Sequence, residues 1–407
     1  MKTRHEKYLL ELTALPTATG QEDAVIAWVE NWARRRKTVD LSRDRFGNLL
    51  LKRTGARSRK PIYFTAHMDH PAFVVAEQID PRTLIAEFRG GVDARYFAGS
   101  RVRLHLGHHD ARPGRVVRLE TPAQPGTDKR AVIELAKPAV AEPGEILTWH
   151  LPAPKVARGL LRAPACDDLA GVAAALAAFE QLNKVHAHKK NAPGSPDVRV
   201  LLTRAEEVGF IGAIAACKSG IIPKAARLVA LETSKSFPDS PIGGGPIVRV
   251  GDRTSSFDPD LTYRISQLAA GIQQQDPGFQ WQRKLMPGGT CEASAFQALG
   301  FTATCLCLPL GNYHNMSSEP ANAKSNKNTV AKHGRDTSAS FGGISGGGPQ
   351  GLKGPGKIDS EVIALCDYHG LIRLLIQVGR SLDSPSASPP LTTRLDRLFA
   401  QRRHLLG

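Results

Sequence analysis

Along residues 8–36 the apolar positions Leu9, Leu10 and Leu12, then Val25, Ile26, Trp28, Val29 and Trp32, recur at helical spacing, broken by Pro16 and a polar TATGQE segment. Two helices are predicted. The second should start near Thr19, whose hydroxyl can cap it while Glu22, three residues on, reaches back as a capping box. Residues 48–53 (NLLLKR) and 61–66 (PIYFTA) read as short strands. From about Pro71 to Leu151 the rhythm changes to short apolar runs (AFVVAEQI, TLIAEF, RVRLHL, RVVRLE, AVIELA, ILTWHL), punctuated by Gly90-Gly91, Pro113-Gly114, Pro125-Gly126 and Pro143-Gly144. Evenly spaced strands with turn residues between them describe a small antiparallel barrel.

After residue 151 the α/β grammar resumes. Helices are predicted over 167–182 and 209–218, and strands over 198–203, 226–231 and 301–308. The chain therefore reads as one discontinuous α/β domain, residues 1–70 and 152–383, with a β-barrel inserted at 71–151. Two segments stand apart from it. Residues 321–357, above all 334–357 with nine Gly, two Pro and three Ser, hold too few large apolar side chains to offset the entropy of ordering, and read as a flexible insert. Residues 384–407 form a basic tail ending in an amphipathic helix candidate, TTRLDRLFAQRRHLLG.

Length and composition narrow the class. A chain of 407 residues with 41% hydrophobic content can bury more than one core. Its longest apolar stretch, around Val172 to Phe179, falls far short of the ~20 residues a membrane span needs. The N-terminal stretch places Glu6 and Glu11 among its apolar residues, unlike a signal peptide, so a cytoplasmic location and no membrane partner are expected. Six scattered Cys do not make a disulfide scaffold; Cys305 and Cys307, two apart in an apolar run, suggest one face of a strand.

Candidate chemistry sits at the strand ends. His67 and Asp69 follow IYFTA, Glu206 and Glu207 follow VRVLLTRA, Glu232 follows ARLVAL, and His314 follows TATCLCLPLGNY. Asp167-Asp168 opens the helix after the barrel. Taken singly, Asp167 could be a helix cap, the Glu pair a favourable charge at a helix N-terminus, and His314 a solvated loop residue. Taken together they converge on the crevice beyond the carboxyl ends of an open sheet, where ligands bind. Two divalent ions about 3.5–4 Å apart need a bridging carboxylate, further His and carboxylate ligands, and open positions. A carboxylate that is not a ligand must take a proton from water, which Glu206 beside Glu207 can do. Asp69 is suited to orient His67 through its other ring nitrogen.

The strings TAHMDHPAFVV, ACDDLAGVAAAL, RAEEVGFIGA, GGTCEASAFQALG and GNYHNMSSE resemble, in order and approximate spacing, the cocatalytic zinc aminopeptidases of the glutamyl and tetrahedral aminopeptidase type. The resemblance runs from LLELTALPTATGQEDAVIAWV to the DYHGLIRLLI helix. It implies a zinc-exopeptidase-like α/β/α sandwich with a mixed central sheet, and two divalent ions per chain, zinc in the first place, with cobalt or manganese as alternatives. Asp167 would bridge them, one ion also taking His67 and Glu232, the other Glu207 and His314. Glu206 would be the general base and Asp69 the partner of His67. Water activated by the metals would attack the scissile carbonyl of a peptide with a free N-terminus, and self-assembly into a homo-oligomer is implied.

Three positions depart from that family: Glu232 stands where Asp is more usual, Cys291 where an acid follows Gly-Gly-Thr, and Asn315 where Ser is common. A metallo-carboxypeptidase or an N-acyl amino acid deacylase would use the same metal core, but those relatives usually insert an α+β domain after the Glu-Glu motif. A non-catalytic peptidase-fold binding protein is the remaining rival. His105, His108 and His109 lack a matching carboxylate set and read as surface residues, and the IGGGPIV glycines (242–248) as a backbone turn rather than a phosphate loop. The net charge of +16 raises nucleic acid as a partner. Yet residues 1–60 hold 14 basic against 7 acidic side chains, 321–357 hold 6 against 1, and 380–407 hold 5 against 2, so nearly all the excess lies outside the ligands and the barrel. Nucleic acid is not the expected partner.

Overall fold

A computed structural model describes residues 2–107, 110–120, 128–187, 197–320, 355–384 and 386–406. The expected flexible insert, apart from residues 355–357, falls outside the described residues, as do His108 and His109. In chain order the elements are α1 (Lys2–Leu12), α2 (Asp23–Arg34), β1 (Val39–Arg43), β2 (Leu49–Arg53), β3 (Ile62–His67), β4 (Ala72–Asp80), β5 (Thr83–Arg89), β6 (Arg101–Leu106), β7 (Asp110–Leu119), β8 (Lys129–Leu135), β9 (Ile146–Trp149), β10 (Lys155–Ala157), β11 (Leu160–Ala163) and α3 (Leu169–Ala187). The second half gives β12 (Val198–Thr203), α4 (Ile211–Lys218), β13 (Arg227–Lys235), β14 (Ile247–Gly251), α5 (Pro259–Gln275), β15 (Gln282–Leu285), α6 (Glu292–Ala298), β16 (Thr302–Leu310), β17 (Met316–Pro320), β18 (Gly356–Ile358), β19 (Glu361–Ala364), α7 (Leu365–Ser381) and α8 (Leu391–Arg402).

Eight strands form the central mixed sheet in the order β1-β2-β12-β3-β13-β16-β14-β15. Its middle, β12-β3-β13-β16, is parallel, while β2 and β14 run antiparallel to their inner neighbours. Parallel strands covered on both faces bury nearly every residue, which is why β3 and β12 read as continuous apolar runs rather than alternating ones. Side chains still alternate between two cores. Ile62, Phe64 and Ala66 join α1, α3 and α7 on one face, and Tyr63 joins Ala213, Phe296, Cys305 and Cys307 on the other. The two cysteines are buried free thiols on one face of β16, as their spacing suggested.

The closed barrel β4-β5-β8-β7-β6-β9 is inserted between the end of β3 and the start of α3. Its centre is aromatic: Phe73, Phe88, Phe97 and Trp149 meet with ring centroids 4.8–5.8 Å apart. Emptying one such position, as in Phe88→Ala, costs about 3–5 kcal/mol. Two small sheets complete the fold, β10-β11-β19 and β17-β18. Among the described residues no helix is long and apolar enough to cross a membrane.

Three expectations are corrected. The second helix starts at Asp23, not Thr19, and no capping box forms: the Thr19 hydroxyl donates to Asp69, and Glu22 accepts from the backbone of Gly20 and Ala205 and from the Arg204 side chain. Long-range polar partners outcompete the local cap. Strand β13 runs on to Lys235, so Glu232 lies within it rather than after it. His105 is half-buried, with Nε2 2.9 Å from Thr148 Oγ1, because its side chain leans onto β9.

Candidate metal centre

The parallel strands end at one edge of the sheet, where His67 and Glu232 near the ends of β3 and β13, Asp69, Glu206, Glu207 and His314 on the loops that follow, and Asp167 just ahead of α3 come together, all seven largely buried. His67 closes β3. Its Nε2 lies 3.3 Å from Asp167 Oδ1 and 3.6 Å from Glu232 Oε1. His314 sits in a short 3-10 turn with φ of 51°, and its Nε2 lies 3.6 Å from Asp167 Oδ2 and 3.3 Å from Glu207 Oε2. Each carboxylate oxygen of Asp167 thus faces a different imidazole. The peptide joining Asp167 to Asp168 is cis.

The other ring nitrogens are fixed. Nδ1 of His314 lies 2.7 Å from the Gly91 carbonyl, and Nδ1 of His67 lies 3.1 Å from the Asp69 carbonyl and 3.4 Å from Asp69 Oδ1. A carbonyl accepts only from an N–H, so both imidazoles carry the proton on Nδ1 and present Nε2 to the cluster. The Asp69 carboxylate also accepts from the Glu206 and Glu207 backbone and from Thr19.

Charge is unbalanced here. Burial raises Glu206 and Asp168 well above the usual carboxylate range, and burial together with the Asp167 charge pushes Glu232 up to about 8. Burial would raise Asp167 too, but its contacts with His314 and His67 hold it well below the usual range. Oδ1 of Asp167, both oxygens of Asp168, Oε1 of Glu207 and Oε1 of Glu292 are buried without a hydrogen-bond partner. Buried orphan carboxylate oxygens on this scale call for cations. Ligand atoms of His67, Asp167 and Glu207, of His67, Glu206 and Glu232, and of Asp167, Asp168 and Glu232 each fall within 4.8 Å of one another. Hard oxygens mixed with imidazole nitrogens are a donor set that suits divalent zinc, cobalt or manganese.

Several residues here escape a reading of the sequence alone. Buried Glu361 accepts from the Cys166, Asp167 and His314 backbone, but stands 47 positions beyond His314. His70, beside Asp69, reaches the Asp167 carbonyl; its place within TAHMDHP was the available signal. Arg249, from β14, is buried near Glu232 with Nε and Nη2 making no hydrogen bond, Nη2 lying 3.9 Å from Asp252 Oδ2, and its charge favours ionised Glu232. Glu292, pushed up to about 7 by burial, is the acid beside Cys291, which itself packs in the core. Asp168 leaves no room for a side chain at residue 171: a Cβ on Gly171 would stand 2.2 Å from Asp168 Oδ1. The 242–248 glycines form a turn whose Gly243 and Gly245 N–H groups donate to Asp367.

The fold is shared with solved aminopeptidases. A TET aminopeptidase from the marine sediment archaeon Thaumarchaeota archaeon SCGC AB-539-E09 superposes with TM-score 0.69 at 17% identity, covering 94% of this chain and 99% of that one. The TET1 peptidase of Pyrococcus horikoshii gives 0.66 at 19%, covering 93% and 100%, and an aminopeptidase from Desulfurococcus kamchatkensis gives 0.66 at 21%, covering 95% and 96%. No curated protein matches the sequence. The sequence pattern of the M42 glutamyl aminopeptidases matches residues 47–331, more than half of the chain, so the protein belongs to the M42 glutamyl aminopeptidase family and is a metal-dependent aminopeptidase.

Proposed function

We propose that this aminopeptidase works through a dinuclear centre in which Asp167 bridges two divalent ions, His67 and Glu232 complete one site, and Glu207 and His314 complete the other. The observation that carries the reading is the split of the Asp167 carboxylate, Oδ1 toward His67 and Oδ2 toward His314. When bound, two such ions polarise a carbonyl and make water a nucleophile near neutral pH. Glu206 takes the proton from that water and returns it to the departing amine. Its burial suits the task, since a carboxyl held well above the usual carboxylate range is a stronger base than an exposed one and can still give the proton back. Asp69 holds the Glu206 and Glu207 backbone and the His67 ring in place.

Zinc is the ion we assign, with cobalt or manganese as substitutes. Substrates are peptides with a free N-terminus. The chain would work as a homo-oligomer: the Pyrococcus horikoshii TET1 peptidase assembles into a tetrahedron or a large octahedral shell. In support, the barrel region exposes Ile79, Val117 and Val140. A panel of aminoacyl chromogenic substrates with N-blocked controls, supplied with each metal in turn, tests the reading. Free-amine substrates should be cleaved and blocked ones spared. Cleavage of the blocked compounds alone would make the protein a deacylase.

A further inference from the structure

Beside the proposed dinuclear centre lies a set of buried groups, Glu361, His70 and Asn315, that hold the backbone of its ligands. Glu361 opens β19, which pairs with β11 on one side and bonds through Val362 to Gly311 on the other. Those two neighbours lead into Asp167 and His314 respectively. The fully buried Glu361 carboxylate spans the same gap: Oε2 accepts from Cys166 N at 2.6 Å and Asp167 N at 3.0 Å, and Oε1 accepts from His314 N at 2.9 Å. His70 makes a parallel link. Its Nδ1 donates to the Asp167 carbonyl, its Nε2 lies 3.1 Å from Asn315 Oδ1, and the Asn315 amide donates to the Pro164 carbonyl at 2.8 Å. The Asp167 N–H and C=O are therefore both taken by buried side chains, and both side chains are tied to residues 314–315.

We propose that Glu361, seconded by His70, is a positioning residue that fixes the spacing between Asp167 and His314 and thereby sets the affinity of the ion held by His314 and Glu207. The inference rests on the dinuclear reading above. Glu361 can serve because both its oxygens accept from the backbone, whereas an amide of the same shape accepts on one only. In Glu361→Gln the single oxygen can satisfy Cys166 and Asp167, and its NH2 group would then oppose the His314 N–H. The defect should fall on one ion site and leave the His67–Glu232 site intact.

Zinc titration of the metal-free protein, followed by calorimetry and elemental analysis, tests this. Wild type should bind two ions per chain. Glu361→Gln should bind one as wild type does and the second with Kd raised about 10–100-fold, the range seen when supporting partners of ligands are removed. Its hydrolysis should fall in kcat and recover as free zinc is raised, which a general loss of fold would not allow. Two wild-type affinities in Glu361→Gln would overturn the proposal. Fewer than two ions on the wild type would overturn the dinuclear reading itself. Should Glu361→Gln not fold, His70→Phe carries the test: it removes the donor to the Asp167 carbonyl and should weaken zinc binding. His70→Asn, which keeps an N–H at the Nδ1 position, should restore it, and equal affinities in the two would overturn the proposal.

Discussion

Asp69 Oδ1 accepts the backbone N–H of Glu206 at 3.0 Å, so the side chain that fixes His67 also fixes the loop bearing the proposed base. Its other oxygen takes Glu207 N and the Thr19 hydroxyl. Burial opposes ionisation of Asp69, but His67 and these donors override it and hold the carboxyl below its usual range. Asn at this position offers one oxygen to three donors and adds an NH2 group that faces another donor. Asp69→Asn should keep the fold, checked by circular dichroism, and lower kcat/KM about 10–100-fold. Wild-type kinetics in that variant would remove Asp69 from the machinery.

Glu206 lies within 4.8 Å of ligand atoms of His67 and Glu232, close enough to be a ligand as well as a base. Glu206→Gln separates the two roles. A base that is not a ligand should leave two metals per chain by elemental analysis while turnover drops about 10²–10⁴-fold. Loss of a metal would instead make Glu206 part of the coordination sphere.

The orphaned oxygens of Asp167, Asp168 and Glu207 give metal a stabilising role. Zinc at 100 times its Kd should stabilise the folded chain by about 2.7 kcal/mol per site, seen as a higher Tm. His67→Ala and Asp167→Ala should show lower metal content and a smaller zinc-induced shift. Two tightly bound ions in either variant would contradict the ligand set.

How much of this was legible depends on the range of each interaction. The strand ends were readable because a buried parallel strand is an apolar run that stops abruptly, so His67 at the end of β3, and Glu207 and His314 after β12 and β16, stand out. The barrel was readable from turns at regular intervals. What stayed hidden involves partners far apart in the chain. Thr19 and Glu22 have the right spacing for a local cap, yet Asp69, 50 positions away, and Ala205, 183 positions away, claim them. Glu361 lies in a short apolar strand, EVIA, with nothing local to mark it as a partner of Asp167. The edge strand β15, QRKL, carries no apolar pattern because neither of its faces is deeply buried.

His105 offers a pH test remote from the metal ligands. On β6, its ring packs against Thr148, and burial, with Arg103 nearby, lowers it from 6.5 to about 4. Folded protein therefore holds the ring neutral through a range where the unfolded chain would take up a proton. Proton uptake by the unfolded state favours unfolding, so the stability tied to this residue is complete above about pH 6.5 and is lost as pH falls toward 4. His105→Gln keeps a polar group that can reach Thr148 and removes the titration. Between pH 7 and pH 5 the wild type should lose roughly 1–2 kcal/mol more than this variant, read from urea midpoints of the metal-free proteins. Identical losses would mean that His105 takes up its proton in the folded barrel, with Thr148 and solvent accommodating the charge.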